Sequence, residues 1–305
     1  MYVFDDSKII EIFCKVDDYC QEFTQWQEQS KSGILRLGHG SRGPRGGLCE
    51  SEILTILIFY HLSGFKCFKY YYKRLIKGPL RGHFPKAPSY SRFIRLIPRA
   101  CLLLWGLIQI GFEKTLSGIY YIDSTKLPVC DVHRIRSHKV FKGIAQRGKT
   151  STGWFFGLKL HLVVNEIGEV IALKITSGNV ADNNPRLLRN LLHKLKGRCF
   201  GDKGYLTKIF KELIEEGLHL FTKIRKNMKN KLLSIENKIL LKARTIIETI
   251  FDIMKNILNI DHTRHRSPDN ALTHLLAGIS AYQFLDHKPS ISNNKPAIEF
   301  LPKIS

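Results

Sequence analysis

The chain has 305 residues, 44% hydrophobic and 24% charged, enough for one large or two ordinary folded domains and unlike a disordered composition. Lys and Arg number 48 against 26 Asp and Glu, and this +22 surplus runs through the whole chain, pointing to nucleic acid ahead of an anionic membrane surface. Seven scattered cysteines with no Cys-x2-Cys pair suggest neither a zinc ribbon nor a disulfide framework.

The opening MYVFDDSKII lacks a basic region followed by an apolar run, as a signal peptide would have. The longest apolar stretch, CLLLWGLIQIGF from Cys101, is too short to span a bilayer, so a soluble, cytoplasmic protein is expected. Up to about Lys114 the pattern is helical. The Gly- and Arg-rich GHGSRGPRGG reads as a basic connection able to touch DNA backbone. SEILTILIFYHL follows as a buried helix with Ser51 as its N-cap.

In GFKCFKYYYKRLIKG, Phe65, Phe68, Tyr72 and Leu75 share one face, the core side, while Lys66, Lys69, Lys73 and Lys77 share another. That lysine face is either solvated or laid along phosphates. PSYSRFIRLIPR reads as a short helix with Ser89 at its start and Pro98 limiting its end. Arg92 and Arg95 lie on one side, opposite Phe93, Ile94 and Ile97, which suggests a helix-turn-helix DNA reader.

From Gly118 the texture changes. SGIYYIDST is a strand run ending in Asp123, and GWFFGLKLHLVVNEIGEVIALKITSGN reads as two strands joined at NEIGE. Between them, Arg134, Arg136, Lys139, Lys142, Arg147 and Lys149 read as a DNA-facing loop. CDVH at Cys130 could be half of a metal site, but no second half follows. ADNNPRLLRNLLHKLKG is a helix, GRCFGDKGY a strand turning at Asp202, LTKIFKELIEEG a helix and LHLFTKI a strand. The order implies a mixed α/β sheet with packed helices. The expected division is a helical domain over 1–115, an α/β domain over 116–290 and a tail over 291–305.

Asp123 and Asp202 each close a strand, where chemistry gathers in open α/β sheets. In LKARTIIETIFDIMKN, read as one helix at about 100° per residue, Arg244, Glu248 and Lys255 fall within a sector of about 40°. Ile246, Ile247, Ile250, Phe251, Ile253, Met254, Ile257 and Leu258 fill the other side. The charged stripe is either an exposed i,i+4 ion pair or a carboxylate facing a site beside cations that hold a polyanion. Two aspartates and a glutamate on separate elements can bind two Mg²⁺ or Mn²⁺ ions, which favour oxygen ligands. Such a pair, about 3.5–4 Å apart, serves in-line displacement at phosphorus. Lys159 and His161 either point at this site or form the exposed side of a central strand. Asp182 reads as a helix cap or a support for the site, and Lys203 and Tyr205 as DNA contacts or packing groups.

Together YYIDST, GWFFGLKLHLVVNEIGE, TSGNVADN, GDKGY and RTIIETIFDIMKN resemble the DDE transposases of bacterial insertion sequences, and among them the insertion sequence 982 family. The likeness covers most of 119–284, and PSYSRFIRLIPR extends it towards the N-terminus. The R-x3-E-x6-K spacing of Arg244, Glu248 and Lys255 resembles the signature around the third acid; a tyrosine common three positions before the arginine is Leu241 here. The resemblance implies an RNase H-like mixed sheet preceded by a helical DNA-binding domain. It implies Asp123, Asp202 and Glu248 as catalytic metal ligands, Arg244 and Lys255 as phosphate holders, and a homo-oligomer acting on double-stranded DNA in the bacterial nucleoid. Element ends would be cut and 3′-OH ends joined to target DNA. A nuclease that does not join, or a DNA-binding regulator without catalysis, are the competing functions.

Overall fold

The structure is a computed structural model that describes residues 6–29, 47–151, 153–223, 233–261 and 265–291. Most of the GHGSRGPRGG connection, most of the basic run after 223 and nearly all of the expected tail lie outside the described residues. The chain divides into two compact units. One comprises Met1–Glu113 with Met254–Leu285, the other Lys114–Ile253 with Asp286–Ser305. The segment 254–285, expected with the sheet, groups with the N-terminal helices.

The first unit is helical. Helix α1 (Asp6–Gln29) buries Ile9, Ile12, Val16 and Tyr19, spaced at steps of three and four. Helix α2 (Glu50–Leu62) buries nearly every side chain from Ile53 to His61. It opens one residue before the expected cap: the Cys49 N–H donates to the Glu52 carboxylate at 2.8 Å, and Ser51 Oγ instead donates to Asp17 Oδ1 at 2.5 Å. Helix α3 (Phe68–Tyr71) runs into a π-helical turn over Tyr72–Ile76, and Tyr71, Tyr72, Leu75 and Ile76 are buried as an aromatic core face demands. Of the lysines opposite, Lys66 donates to Asn259 Oδ1 at 2.8 Å and Lys77 to the Ala87 carbonyl at 2.6 Å, so both brace the fold. Lys69 and Lys73 are exposed.

Helix α4 (Tyr90–Leu96), a 3₁₀ turn over Ile97–Arg99, helix α5 (Ala100–Gly106) and a π turn over Leu107–Gly111 follow without a break. Helix α4 ends at Leu96, just before Pro98 as expected, and Pro98 occupies the first turn of the 3₁₀ segment, where its missing N–H costs no hydrogen bond, so the chain stays helical past it. The resulting run, Tyr90–Gly111, is 22 residues and by length and composition apolar enough to cross a membrane. Phe93, Ile97, Leu103, Leu104, Leu107 and Ile108 on it are buried, and α5 packs against α2 and against α10 (Pro268–Gln283).

The second unit is built on a six-stranded sheet: β1 (Ile119–Cys130), β2 (Gln146–Thr150), β3 (Gly153–Asn165), β4 (Val170–Ser177), β5 (Gly197–Gly201) and β6 (Leu218–Thr222). The order is β2-β3-β1-β5-β6, with β4 also on β3. Strand β3 is long enough to seat β2 against Gly153–Gly157 and β4 against Leu158–Val164 along the same edge. Pairings among β1 to β4 are antiparallel, whereas β1–β5 and β5–β6 are parallel. Parallel neighbours need a crossover, and α7 (Phe210–Glu215) supplies it between β5 and β6. Helix α6 (Pro185–Leu192) precedes β5.

This mixed sheet with flanking helices is the RNase H-like α/β fold expected above. Strand β2 corrects one expectation, since the end of the basic loop, with Arg147 and Lys149, is an edge strand. Its QRGKT sequence buries only Gly148, so the hydrophobic alternation that reveals most strands is missing.

The sheet has two different faces. On one, Tyr120, Ile122, Val163 and Cys199 join Leu187, Leu188, Leu191 and Leu192 of α6 and Leu213 of α7 in a single apolar cluster. On the other, Tyr121 stacks on Phe200 and Phe200 on Phe221, with ring centroids 5.7 and 5.2 Å apart. Helices α8 (Ile235–Lys242) and α9 (Thr245–Asp252) pack on the sheet, α9 against β1 and α8 against β5 and β6.

Candidate active site

The parallel register between β1 and β5 brings the first two acids together. Tyr121 pairs with Phe200 and Ile122 with Gly201, so the next residues are Asp123 and Asp202. Adjacent strands lie about 4.8 Å apart, which sets the two backbones side by side at that level. Side chains alternate, so Asp123 falls on the face of Tyr121, where α9 packs, and not on that of Ile122. Strand β5 stops at Gly201 and the chain turns through a 3₁₀ segment, Lys203–Tyr205, while β1 continues to Cys130 paired with β3.

The third acid arrives from α9. The stretch read as one helix is three pieces: α8 ends at Lys242, α9 runs Thr245–Asp252, and a π turn covers Ile253–Ile257. Burial of Ile246, Ile247, Ile250 and Phe251 anchors α9 and leaves Glu248, in its first turn, outward. Lys255 lies inside the π turn, whose angular step differs from the ~100° per residue on which the stripe was drawn. Ile257, expected inside, is 58% exposed. Lys255 belongs to the helical unit, as do Arg92 and Arg95, which are exposed on α4.

Arg244, at the N-cap of α9, ties two of the acids together. Its Nη1 donates to Asp123 Oδ2 at 2.7 Å and its Nη2 to Glu248 Oε1 at 2.5 Å. Side-chain exposure is 12% for Arg244, 21% for Asp123 and 54% for Glu248, so the Asp123 arm is the sheltered one. Burial pushes the Asp123 carboxyl up to about 6, against the lowering effect of the Ser124 amide and Arg244; the charges of Asp182 and Glu248 add to the rise. For Arg244, burial opposes the charged form, yet the carboxylates of Asp123, Glu248 and Asp202 outweigh it and raise its pKa. Asp202 therefore shares the same electrostatic field. The guanidinium expected to hold phosphate here neutralises carboxylates.

A second polar network supports Asp123 through Ser124. The Ser124 amide donates to Asp123 Oδ1 and its hydroxyl to Asp182 Oδ1, each at 2.8 Å. Lys159, buried, donates to the same Asp182 oxygen at 3.1 Å and to the Val180 carbonyl at 3.0 Å. His161 has Nε2 at 2.9 Å from Thr176 Oγ1, while its Nδ1 is 3.9 Å from Asp182 Oδ1 and makes no hydrogen bond. Burial lowers the His161 pKa to about 4; Asp182 pulls it up and Lys159 pushes it further down.

Lys159 and His161 are thus neither exposed nor at the carboxylates, but beneath them. Asp182 is not the helix cap. That is Asn184, whose side chain accepts from the Leu187 amide at 3.2 Å. Asn183 Nδ2 donates to the Leu206 carbonyl at 3.0 Å, bolting this loop to the one that follows Asp202. Tyr205 is buried as a packing group and Lys203 is exposed. A signal for Asp182 was available in the sequence: a lysine inside the apolar run GLKLHLVV needs a counter-charge close by.

Asp123, Asp202 and Glu248 offer only carboxylate oxygens, the donor type that hard divalent cations take, and Asp123 is a half-buried carboxyl whose desolvation outweighs the pull of Arg244. In donor type the residues fit such an ion. In this arrangement the positive charge between Asp123 and Glu248 is Arg244, and among the described residues no three His, Cys, Asp or Glu side chains are gathered to hold a metal.

No curated protein matches the chain. Among solved structures it is similar, at 13% identity over 86% of this chain and 84% of the other, to that described as the crystal structure of the Mos1 strand transfer complex. The TM-score of 0.23 is too low for that likeness to carry an argument. The family model described as transposase DDE domain matches residues 113–268, which spans the whole sheet, both aspartates and Glu248. That match covers just over half of the 305 residues, and with it the chain belongs to the DDE transposase-domain family.

Proposed function

We propose that the protein is an insertion-sequence transposase, of the insertion sequence 982 type, acting on DNA in the bacterial cytoplasm. It binds the terminal inverted repeats of its element, cuts the DNA there and joins the 3′-OH ends to a target. The observation that supports this best is the convergence of Asp123 and Asp202, at the same level on neighbouring parallel strands, with Glu248 joined to Asp123 through Arg244. The charge of +22 suits a polyanionic substrate.

Asp123, Asp202 and Glu248 would hold Mg²⁺ or Mn²⁺, two ions per site in this proposal. When bound, those ions activate the attacking oxygen and stabilise the leaving one. The chain's own groups prepare the place. The sheet fixes Asp123 against Asp202, and the Ser124–Asp182–Lys159 network fixes the backbone that carries Asp123. Arg244 offers a planar fork suited to a phosphate once the carboxylates are otherwise neutralised, and Lys255 and the α4 arginines Arg92 and Arg95 supply charge to the duplex. Two copies of the chain acting on paired element ends complete the proposal.

The test is a gel assay with the DNA that flanks this gene, a supercoiled target and Mg²⁺. Joined products with 3′-OH linkage are expected. Cleavage without joining would make the protein a nuclease, and binding without cleavage a DNA-binding regulator.

A further inference from the structure

The ribbon formed by β2 and the start of β3 carries an arrangement that the carboxylates do not use. Lys149 lies directly across from Trp154, and Arg147 from Phe156, so Arg147, Lys149 and Trp154 share one face. Trp154 is 53% exposed, an unusual place for the largest apolar side chain. The Arg147 guanidinium carbon lies 4.7 Å from the centroid of its ring and Lys149 Nζ 5.6 Å. Both cations are therefore held over one indole by cation–π attraction. The preceding segment adds Arg134, Arg136, Lys139 and Lys142, all exposed, with Asp131 the one acid between 131 and 150.

Two cations held on an aromatic platform, after a segment with four more exposed cations and one acid, suit a chain of phosphates. We propose that this ribbon is a DNA-backbone site, in which Trp154 positions Arg147 and Lys149 on two phosphates of the element end. The proposal rests on the DNA-cleaving function above and adds where the duplex runs. Asp123 pairs with Leu162 of β3, and Trp154 lies eight positions earlier on that strand. At ~3.3 Å per residue the ribbon is about 26 Å from the level of the acids. At ~3.4 Å per base pair, a duplex laid along β3 meets it about eight base pairs from the bond at Asp123.

The experiment measures affinity of the full chain for a duplex of the gene's flanking end across a KCl series, with hydroxyl-radical footprinting. Arg147→Gln/Lys149→Gln should make the plot of log affinity against log salt shallower by about 1.8, two phosphates' worth. It should also remove protection about eight base pairs from the cleaved bond. Trp154→Ala should weaken binding roughly two- to fivefold with the salt slope kept, and Trp154→Phe should restore most of it. An unchanged slope in the double variant, or protection lost only beside the cleaved bond, would overturn the proposal. Wild-type protein that binds no DNA at any salt would overturn the function on which it rests, a result the variants cannot mimic.

Discussion

Arg244 is the residue whose role changes most between sequence and structure. Its spacing from Glu248 was legible, and so was an i,i+4 contact between them. Its second arm was not, because Asp123 is 121 residues away and only the fold brings them together. With both side chains mostly sheltered, the Arg244–Asp123 pair belongs to the class in which removing one partner strands a buried charge. Arg244→Met is expected to lower the unfolding free energy by about 2–3 kcal/mol in EDTA, and Asp123→Asn less, since an amide remains hydrogen-bonded. In a urea-denaturation double-mutant cycle the two should couple by about 1–2 kcal/mol. Simple additivity would show that the guanidinium does not neutralise Asp123 in solution. Asp182 is the counterpart residue. It stands outside the expected triad, yet it receives Ser124 and Lys159 beneath the site.

At the scale of elements, what could be read from the sequence depended on whether an element buries a regular face. β1, β3 and β4 carry apolar and β-branched runs, and α6 carries leucines at helical spacing, so their existence and type were plain. The edge strand β2 has no apolar face, and the π turn over Ile253–Ile257 leaves no mark in composition, so in sequence the first reads as loop and the second as α-helix. The boundary where β2 gives way to β4 along β3 was equally hidden, and glycines make it possible. A Cβ on Gly157 would lie 2.1 Å from the Leu127 carbonyl oxygen, and one on Gly148 2.2 Å from that of Gly178. Backbone cannot yield as a flexible side chain can. Gly157→Ala is therefore expected to cost about 1–3 kcal/mol, as overpacking does. The loss would appear in thermal unfolding, with faster hydrogen exchange at the β1–β3 amides near Leu127; a variant as stable as wild type would mean the strands stand further apart there.

At the scale of the molecule, composition said most about the partner and least about the site. The +22 charge pointed to a polyanion, and the order of strands and helices pointed to a mixed sheet, both before any geometry was known. That Asp123 and Asp202 follow paired residues, and that Arg244 spans Asp123 and Glu248, comes from the register of two parallel strands and from a helix capped by Arg244. The two units are each coherent, and the segment 254–285 completes the helical one, a grouping of distant stretches of chain that no local pattern announces.

The central claim is that Asp123, Asp202 and Glu248 form one metal-dependent DNA-cleaving site. Asp202 tests it most cleanly, because its side chain makes no capping hydrogen bond and acts on Arg244 through charge, so its removal should cost the fold little. The measurement is Mg²⁺-dependent 3′-OH formation at the element's own ends by wild type and Asp202→Ala, alongside their affinities for the same DNA. A loss of roughly a thousandfold or more in cleavage, with DNA binding retained, is predicted. Full Mg²⁺-dependent cleavage by Asp202→Ala would contradict it.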